Sequence, residues 1–173
     1  MVGLEREEMD CLMELYSILY GDEFCSDQML QTVVPEFKAV SVGGEVFGSV
    51  GDVRRRLWGK IVASWFDSFG EIALPTMSYR AGTVKRYIKH SVIVGSELKY
   101  HVFAVVSSWN KPYLVDHGFL SPVTVIHQRK YEELSFASFL PVQRINCKYI
   151  GYNDEVAGDN ISVIMPVDRK WMQ

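Results

Sequence analysis

The residue types that most often carry chemistry are scattered along this chain rather than grouped. No two of its four histidines are three or four residues apart, the spacing that puts two metal ligands on one helix face; they are His90, His101, His117 and His127. Its three cysteines form no Cys-x-x-Cys pair; they are Cys11, Cys25 and Cys147. We therefore expect no metal site, and free or buried thiols in a reducing compartment.

The candidate nucleophiles and phosphate-binding segments are equally weak. Ser107-Ser108 lacks the Gly-x-Ser-x-Gly context of a nucleophile elbow, and Asp116-His117-Gly118 suits a turn between strands better than an acid–base pair. The glycines at positions 43, 44, 48 and 51 lack both the Gly-Lys-Ser/Thr ending and the Gly-x-Gly-x-x-Gly spacing of phosphate loops. The sequence thus predicts no cofactor and no small-molecule substrate. An enzyme with an unrecognised site is the least favoured class.

Charge is divided along the chain. Residues 1–36 carry nine acidic side chains and one basic one, Arg6, whereas the remaining chain carries 12 acids and 17 bases. The N-terminal segment therefore has a net charge near −8 and the body one near +5. Such a molecule can attract copies of itself, and its body can attract phosphate or an anionic membrane surface.

Two groups of basic residues in the body are candidates for binding an anionic partner. They are Arg54, Arg55, Arg56 and Lys60, followed by Lys85, Arg86 and Lys89. Arginines at the start of a helix oppose its dipole, so a helix that begins near residue 52 favours a functional reason for the first group. The alternative for both groups is a solvated face.

A third candidate is a turn rich in aromatic residues, which contains Trp109, Lys111 and Tyr113. Tryptophan and tyrosine favour boundaries between water and an apolar phase, so we interpret this turn as a possible membrane or partner loop. The alternative is a loop tucked against the core.

Residues 4–20 show the spacing of an amphipathic helix that ends at Gly21. The apolar residues proposed to carry self-association are Leu4, Met9, Leu12, Met13 and Tyr16. This face has two possible occupants, the basic body of a neighbouring copy or the helix's own domain, and the sequence leaves both open.

The strongest periodic signal predicts a long helix over residues 52–69, with Asp52 as its N-cap and Gly70 just beyond its end. Its apolar stripe begins at Val53, and its predicted core side chains include Trp58, Ile61, Trp65 and Phe69. Residues 83–90 suggest a short helix, residues 37–47 a hairpin around Gly43-Gly44 or a bulged strand, and residues 91–167 a run of strands. We therefore predict an α+β fold in which a mostly antiparallel sheet packs against the long amphipathic helix, with an acidic helical segment at 1–36 and the core domain at 37–173.

One stretch resembles a known family. The strand Phe37-Lys38-Ala39-Val40-Ser41-Val42 continues through Gly43-Gly44-Glu45-Val46 towards Trp65-Phe66-Asp67-Ser68-Phe69-Gly70. This order resembles the opening of the core of rhabdovirus matrix proteins, where a strand precedes a helix that ends in an aromatic-rich turn. The chain lacks the basic N-terminal segment and the Pro-Pro-x-Tyr motif common in animal rhabdoviruses, so the resemblance implies a divergent lineage, such as that of the plant rhabdoviruses.

The resemblance and the charge pattern together predict a viral matrix-like structural protein. It would self-associate and bridge a ribonucleoprotein to an anionic membrane surface, in the host cytoplasm and in the virion. No signal peptide or membrane span is evident in the sequence, so we expect a peripheral protein that is not secreted. The alternative is a nucleic-acid-binding viral accessory or regulatory protein that uses the same basic groups.

Overall fold

The computed structural model describes residues 1–25, 31–64, 79–110, 113–115, 123–127, 134–156 and 159–167. The helix α1 spans Arg6–Tyr20, and short 3-10 helices lie at Gly21–Glu23, Arg56–Gly59, Phe136–Ser138 and Val142–Arg144. The strands are β1 (Val2–Gly3), β2 (Val33–Val34), β3 (Glu36–Phe37), β4 (Val40–Val42), β5 (Glu45–Phe47), β6 (Lys60–Ser64), β7 (Tyr79–Val94), β8 (Glu97–Asn110), β9 (Tyr113–Val115), β10 (Val123–His127), β11 (Phe139–Pro141), β12 (Ile145–Val156) and β13 (Asp159–Val167).

Most strands join one curled antiparallel sheet in the order β11-β8-β7-β6-β12-β13-β10-β9, and β3 pairs with β7 beside this path. The hairpin β7–β8 is formed by the two longest strands of the sheet. The hairpin turns at Gly95, whose amide donates a hydrogen bond to the Glu23 carbonyl at 3.0 Å. This bond fixes the 3-10 turn that follows α1 to the tip of the hairpin. Strand β4 pairs with β5 in a separate two-stranded sheet, and β1 pairs with β2 in another.

The long helix predicted over residues 52–69 is wrong, and with it the predicted fold class. Within the described residues, Arg56–Gly59 forms one 3-10 turn and the chain then enters strand β6. Among the described residues, α1 is the one α-helix, and no long helix from the predicted region packs against the sheet. Trp65 and Phe69 lie outside the described residues, and Trp58 is exposed rather than in the core.

The misleading signal has a physical cause in β6. Ile61 and Ala63 are buried on one face of the sheet while Val62 is buried on the other, so the segment is apolar without alternation. An unbroken apolar run in a strand buried on both faces matches a helical pattern as readily as a strand pattern. The same reason applies to the short helix predicted at 83–90, which is wrong because those residues lie in β7, with both Tyr87 and Ile88 buried.

The N-terminal helix is confirmed, and it packs on its own sheet. Leu12, Leu15 and Tyr16 are fully buried against a sheet face that includes Ile88, Val92, Phe103 and Phe139. The buried carboxylate of Glu8 joins the two, because its Oε1 lies 2.5 Å from Arg86 Nη2 and its Oε2 accepts from the Glu5 amide at 3.1 Å. One side chain therefore caps the helix and ties it to β7.

Of the hairpin or bulged strand predicted over residues 37–47, a hairpin around Gly43-Gly44 is present as β4–β5, whereas Phe37 belongs to β3 and pairs with β7. Both glycines have positive φ, 59° and 82°. A two-residue turn of this kind requires these angles, which residues with a Cβ atom rarely adopt. The hairpin places Phe47 in a second core on the opposite sheet face, with Tyr87, Val106 and Leu140. The sheet is thus covered by α1 on one face and by the hairpin, with the loop that follows it, on the other.

Candidate functional site

The predicted anion-binding residues fall into three structural situations. Arg54 and Arg55 are exposed on the loop between β5 and β6, which we call the 48–59 loop, and Arg56 lies in its 3-10 turn. Lys85 and Lys89 are exposed on β7. Arg86 is withdrawn from solvent and paired with Glu8, so it serves an internal anion rather than an external partner.

The 48–59 loop is held firmly on the sheet at its base. Tyr87 Oη donates to the Gly48 carbonyl at 2.9 Å, and the Val50 amide donates to the Val84 carbonyl at 2.9 Å. Burial raises the pKa of Tyr87, so its hydroxyl keeps the proton it donates. The Gly48 amide reaches the Trp58 carbonyl at 3.2 Å and so closes the loop on itself.

Asp52 organises the tip of the loop. Its Oδ1 accepts from the amides of Arg54 at 3.1 Å and Arg55 at 3.3 Å, and its Oδ2 lies 3.7 Å from Arg55 Nη1. The side chain therefore works as the cap that the sequence indicates, although a turn follows rather than an α-helix. This turn points the arginine pair away from the core, and Arg54 forms no ion pair with a described carboxylate.

Trp58 is the aromatic centre of the site and remains 43% exposed. Arg55 Cζ lies 5.7 Å from its ring centroid and Lys148 Nζ 4.7 Å, both within cation–π range. Lys148 is itself fixed, because Nζ also lies 5.3 Å from the Phe47 centroid and 2.8 Å from Glu45 Oε1. Lys60, by contrast, lies over Tyr149 at 5.8 Å, on the other face of the sheet.

The loop also exposes apolar side chains beside its arginines. Val53 is 92% exposed and Val50 is 44% exposed. Single exposed valines are common on protein surfaces, but these two lie on one short loop with Arg54, Arg55 and Trp58, and together they form a small amphipathic tip. The expected helix hid this feature, because it assigned Val53 to a buried stripe.

A second exposed apolar area follows from the strand that carries Lys148. Ile150 and Tyr152 alternate with Tyr149 and Gly151 along β12, so they share the face of Lys148, and Met165 of β13 lies directly opposite Ile150. Tyr152 is 72% exposed, and Ile150 and Met165 are also mostly exposed. Sequence reasoning missed this area because β12 and β13 carry apolar residues on both faces.

The residues proposed for self-association lie in the contact between α1 and the sheet. Leu12 and Tyr16 are fully buried there, and Leu4, Met9 and Met13 pack partly buried against the same core. The sequence left two partners open for this apolar face, and in the structure the face packs on the sheet of the same chain. Self-association through other surfaces stays a prediction.

The predicted aromatic turn lies only partly within the described residues. Trp109 is buried, and its indole Nε1 donates to the Ala137 carbonyl at 2.9 Å. Tyr113 belongs to β9, and Lys111 lies outside the described residues. The prediction of Trp109 as a membrane or partner contact is therefore wrong.

Among the described residues, no group of three His, Cys, Asp or Glu side chains could hold a metal ion. Within the same ranges, no helix has the length and apolar character needed to cross a membrane. No protein-family model matches the chain, and neither a curated protein nor a solved structure matches it.

Proposed function

We propose that this chain binds an anionic membrane surface through the 48–59 loop, as a peripheral structural protein. The observation that carries the proposal is the nearly full exposure of Val53 between the loop's base and two exposed arginines, with the half-exposed Trp58 beside them. Apolar side chains enter the acyl boundary, arginines meet lipid phosphates and tryptophan favours the interface between them. The 48–59 loop carries all three kinds of side chain on one rigid support.

Magnitudes make this a weak and reversible contact for a single copy. A basic residue near an anionic leaflet contributes about 1 kcal/mol, and a fully buried valine about 1.5 kcal/mol or more. Arg55 contributes less than Arg54, because it is already paired with Asp52. Several copies must therefore act together for stable attachment, which suits a self-associating layer better than a lone enzyme or receptor.

The broader role that we propose is the matrix-like one suggested by the sequence. The chain would self-associate and bridge a viral ribonucleoprotein to the membrane. The exposed acidic stripe on α1, formed by Glu7, Asp10 and Glu14, is the natural partner for the basic loop of a neighbouring copy.

The test of membrane binding is flotation of the full-length protein with phosphatidylcholine vesicles, with and without phosphatidylserine. Binding should require phosphatidylserine and weaken with salt. Replacing Arg54 and Arg55 with Gln should lower the partition coefficient about tenfold, since each charge is worth about 1 kcal/mol or less. Val53→Asp should lower it also at high salt, because it removes the inserting side chain.

Arg6→Gln is the matched control, since Arg6 is an exposed arginine on the acidic helix, and it should leave flotation unchanged. A parallel titration with single-stranded RNA distinguishes the alternative function. If RNA binds tightly with a steep salt slope while vesicles do not bind, the nucleic-acid-binding role replaces the membrane role.

A further inference from the structure

Two histidines lie side by side beneath the N-terminal helix. His90 of β7 and His101 of β8 are direct partners in the antiparallel register, so their side chains share one face of the sheet. Tyr16 of α1 lies over both, because its ring centroid is 5.6 Å from each imidazole centroid. His90 is 0% exposed and His101 is half-buried.

Each imidazole is hydrogen-bonded to a tyrosine of α1. Tyr16 Oη lies 2.8 Å from His90 Nδ1, and Tyr20 Oη lies 2.6 Å from His101 Nε2. His90 Nε2 lies 3.1 Å from the Gln31 carbonyl, which can only accept, so Nε2 carries the proton. In the neutral ring Nδ1 is then the acceptor for the Tyr16 hydroxyl.

Among the described residues, no carboxylate compensates a charge on either imidazole. From α1 the facing titratable groups are Tyr16 and Tyr20, from β8 the facing charge is Lys99, and across the strands each histidine faces the other. Further along the same face, Glu8 is already paired with Arg86. Among the described residues no carboxylate forms an ion pair with either histidine.

We propose that His90 and His101 form an acid-sensitive latch that holds α1 on the sheet when neutral and releases the helix when protonated. A proton on His90 Nδ1 removes the acceptor of the Tyr16 hydroxyl, which must then rotate to accept from the imidazolium, and it places a charge on a side chain that is 0% exposed. A second proton on His101 adds a like charge across the strand pair and beside Lys99. Both charges would be covered by the apolar face of α1, so undocking the helix returns them to water.

The direction of the pH effect follows from the pKa shifts. Burial lowers the pKa of His90, and the Gln31 hydrogen bond offsets this only in part, while proximity to His101 adds to it. Burial and Lys99 lower the pKa of His101 as well. Because the docked values lie below the free value of about 6.5, the undocked state binds more protons in acid. Docking is therefore at full strength above about pH 6.5, weakens as the pH falls from there towards the docked pKa values, and changes no further below them.

Release would uncover two complementary apolar surfaces at once. The helix would expose Leu12 and Leu15, and the sheet would expose Phe103 and Ile88. These are the surfaces needed to exchange α1 between copies. At acid pH, the helix of one copy could therefore pack on the sheet of another. The latch does not depend on membrane binding by the 48–59 loop, which is on the other face.

Hydrogen exchange of the full-length protein, read by mass spectrometry at pH 7.5 and pH 5.5 and corrected for intrinsic rates, tests the latch. The protection of residues 6–20 should fall by at least tenfold at the lower pH, while that of β12 and β13 changes little. In the variant His90→Gln/His101→Gln this selective loss should disappear, because glutamine keeps a donor and an acceptor but does not titrate. His127→Gln, on β10, is the control and should keep the loss.

An equal acid loss of protection in the double variant would overturn the proposal, as would no loss in the unmodified protein. If the double variant does not fold, NMR titration of the imidazole Hε1 signals of the unmodified protein decides the matter. Both signals should titrate below 6.5 and report helix release over the same range. Titration of both rings at or above 6.5 would refute the latch.

Discussion

At the scale of single residues, the charge split of the sequence is realised inside one chain. The acidic N-terminal segment meets the basic body where Glu8 contacts Arg86, and both side chains are almost fully withdrawn from water. From the sequence, Arg86 was one basic residue among several, and nothing in its spacing set it apart from Lys85 or Lys89. Pairing depends on which strand face a residue occupies, and the bulge near Val84 shifts that face locally.

Glu8→Gln should lower the free energy of unfolding by about 3 kcal/mol, since removing one partner leaves the other charge buried and unpaired. The change also weakens the cap at Glu5, which worsens the loss. Glu7→Gln is the matched control, because Glu7 is exposed on the same helix turn, and it should change stability by about 0.5 kcal/mol or less. Urea denaturation at neutral pH measures both, and equal values for the two variants would contradict the role given to Glu8.

At the scale of elements, caps and tight turns could be predicted from the sequence. The choice between helix and strand in a long apolar run could not. The helix ending at Gly21 and the turn at Gly43-Gly44 were predictable, because caps and positive φ are set by neighbouring residues. Asp52 was correctly identified as a cap, yet it caps a turn. What decides between helix and strand at Ile61 and Val62 is the pairing of β6 with β7 and β12, partners that are distant in the sequence. The supposed conflict between arginines and a helix dipole disappears with the helix, and their exposure beside Val53 replaces it as the reason to suspect a binding surface.

The 48–59 loop offers a test of its rigidity through two of its glycines. A Cβ at Gly48 would collide with the carbonyl and Cβ of Arg55, whereas a Cβ at Gly51 would meet only Ser49 Oγ at 3.8 Å. Gly48→Ala should therefore cost about 1–3 kcal/mol of stability, as overpacking does, and should disturb the arrangement of Arg55 and Trp58. Gly51→Ala should be close to neutral. Thermal unfolding and vesicle flotation of the pair measure stability and binding separately, and a Gly48→Ala protein with unchanged binding would show that the loop's fixed shape is not needed.

At the scale of the whole molecule, the two sheet faces have different tasks. One is closed by α1, with a titratable pair beneath it, and the other carries the hairpin, the basic loop and the exposed apolar area of β12–β13. Because α1 uses its apolar face internally, only its acidic outer stripe is left to contact another copy. Association between that stripe and the basic loop joins two different surfaces, and it can propagate into open chains.

A charge exchange between two variants tests this mode of assembly. The variant Asp10→Lys/Glu14→Lys loses the acidic surface, and Arg54→Glu/Arg55→Glu loses the basic one. All four residues are exposed, so both variants should fold with little change in stability. Each alone should be monomeric at low salt, because its two surfaces then carry charge of the same sign. An equimolar mixture should associate again, since each surface now meets an opposite charge on the other variant.

Light scattering at about 0.02 M and 0.5 M salt measures this association, which should occur only at the lower salt, where the Debye length exceeds about 10 Å. A mixture that stays monomeric while the unmodified protein associates would place the contact elsewhere, and an unmodified protein that is monomeric at low salt would exclude this assembly altogether.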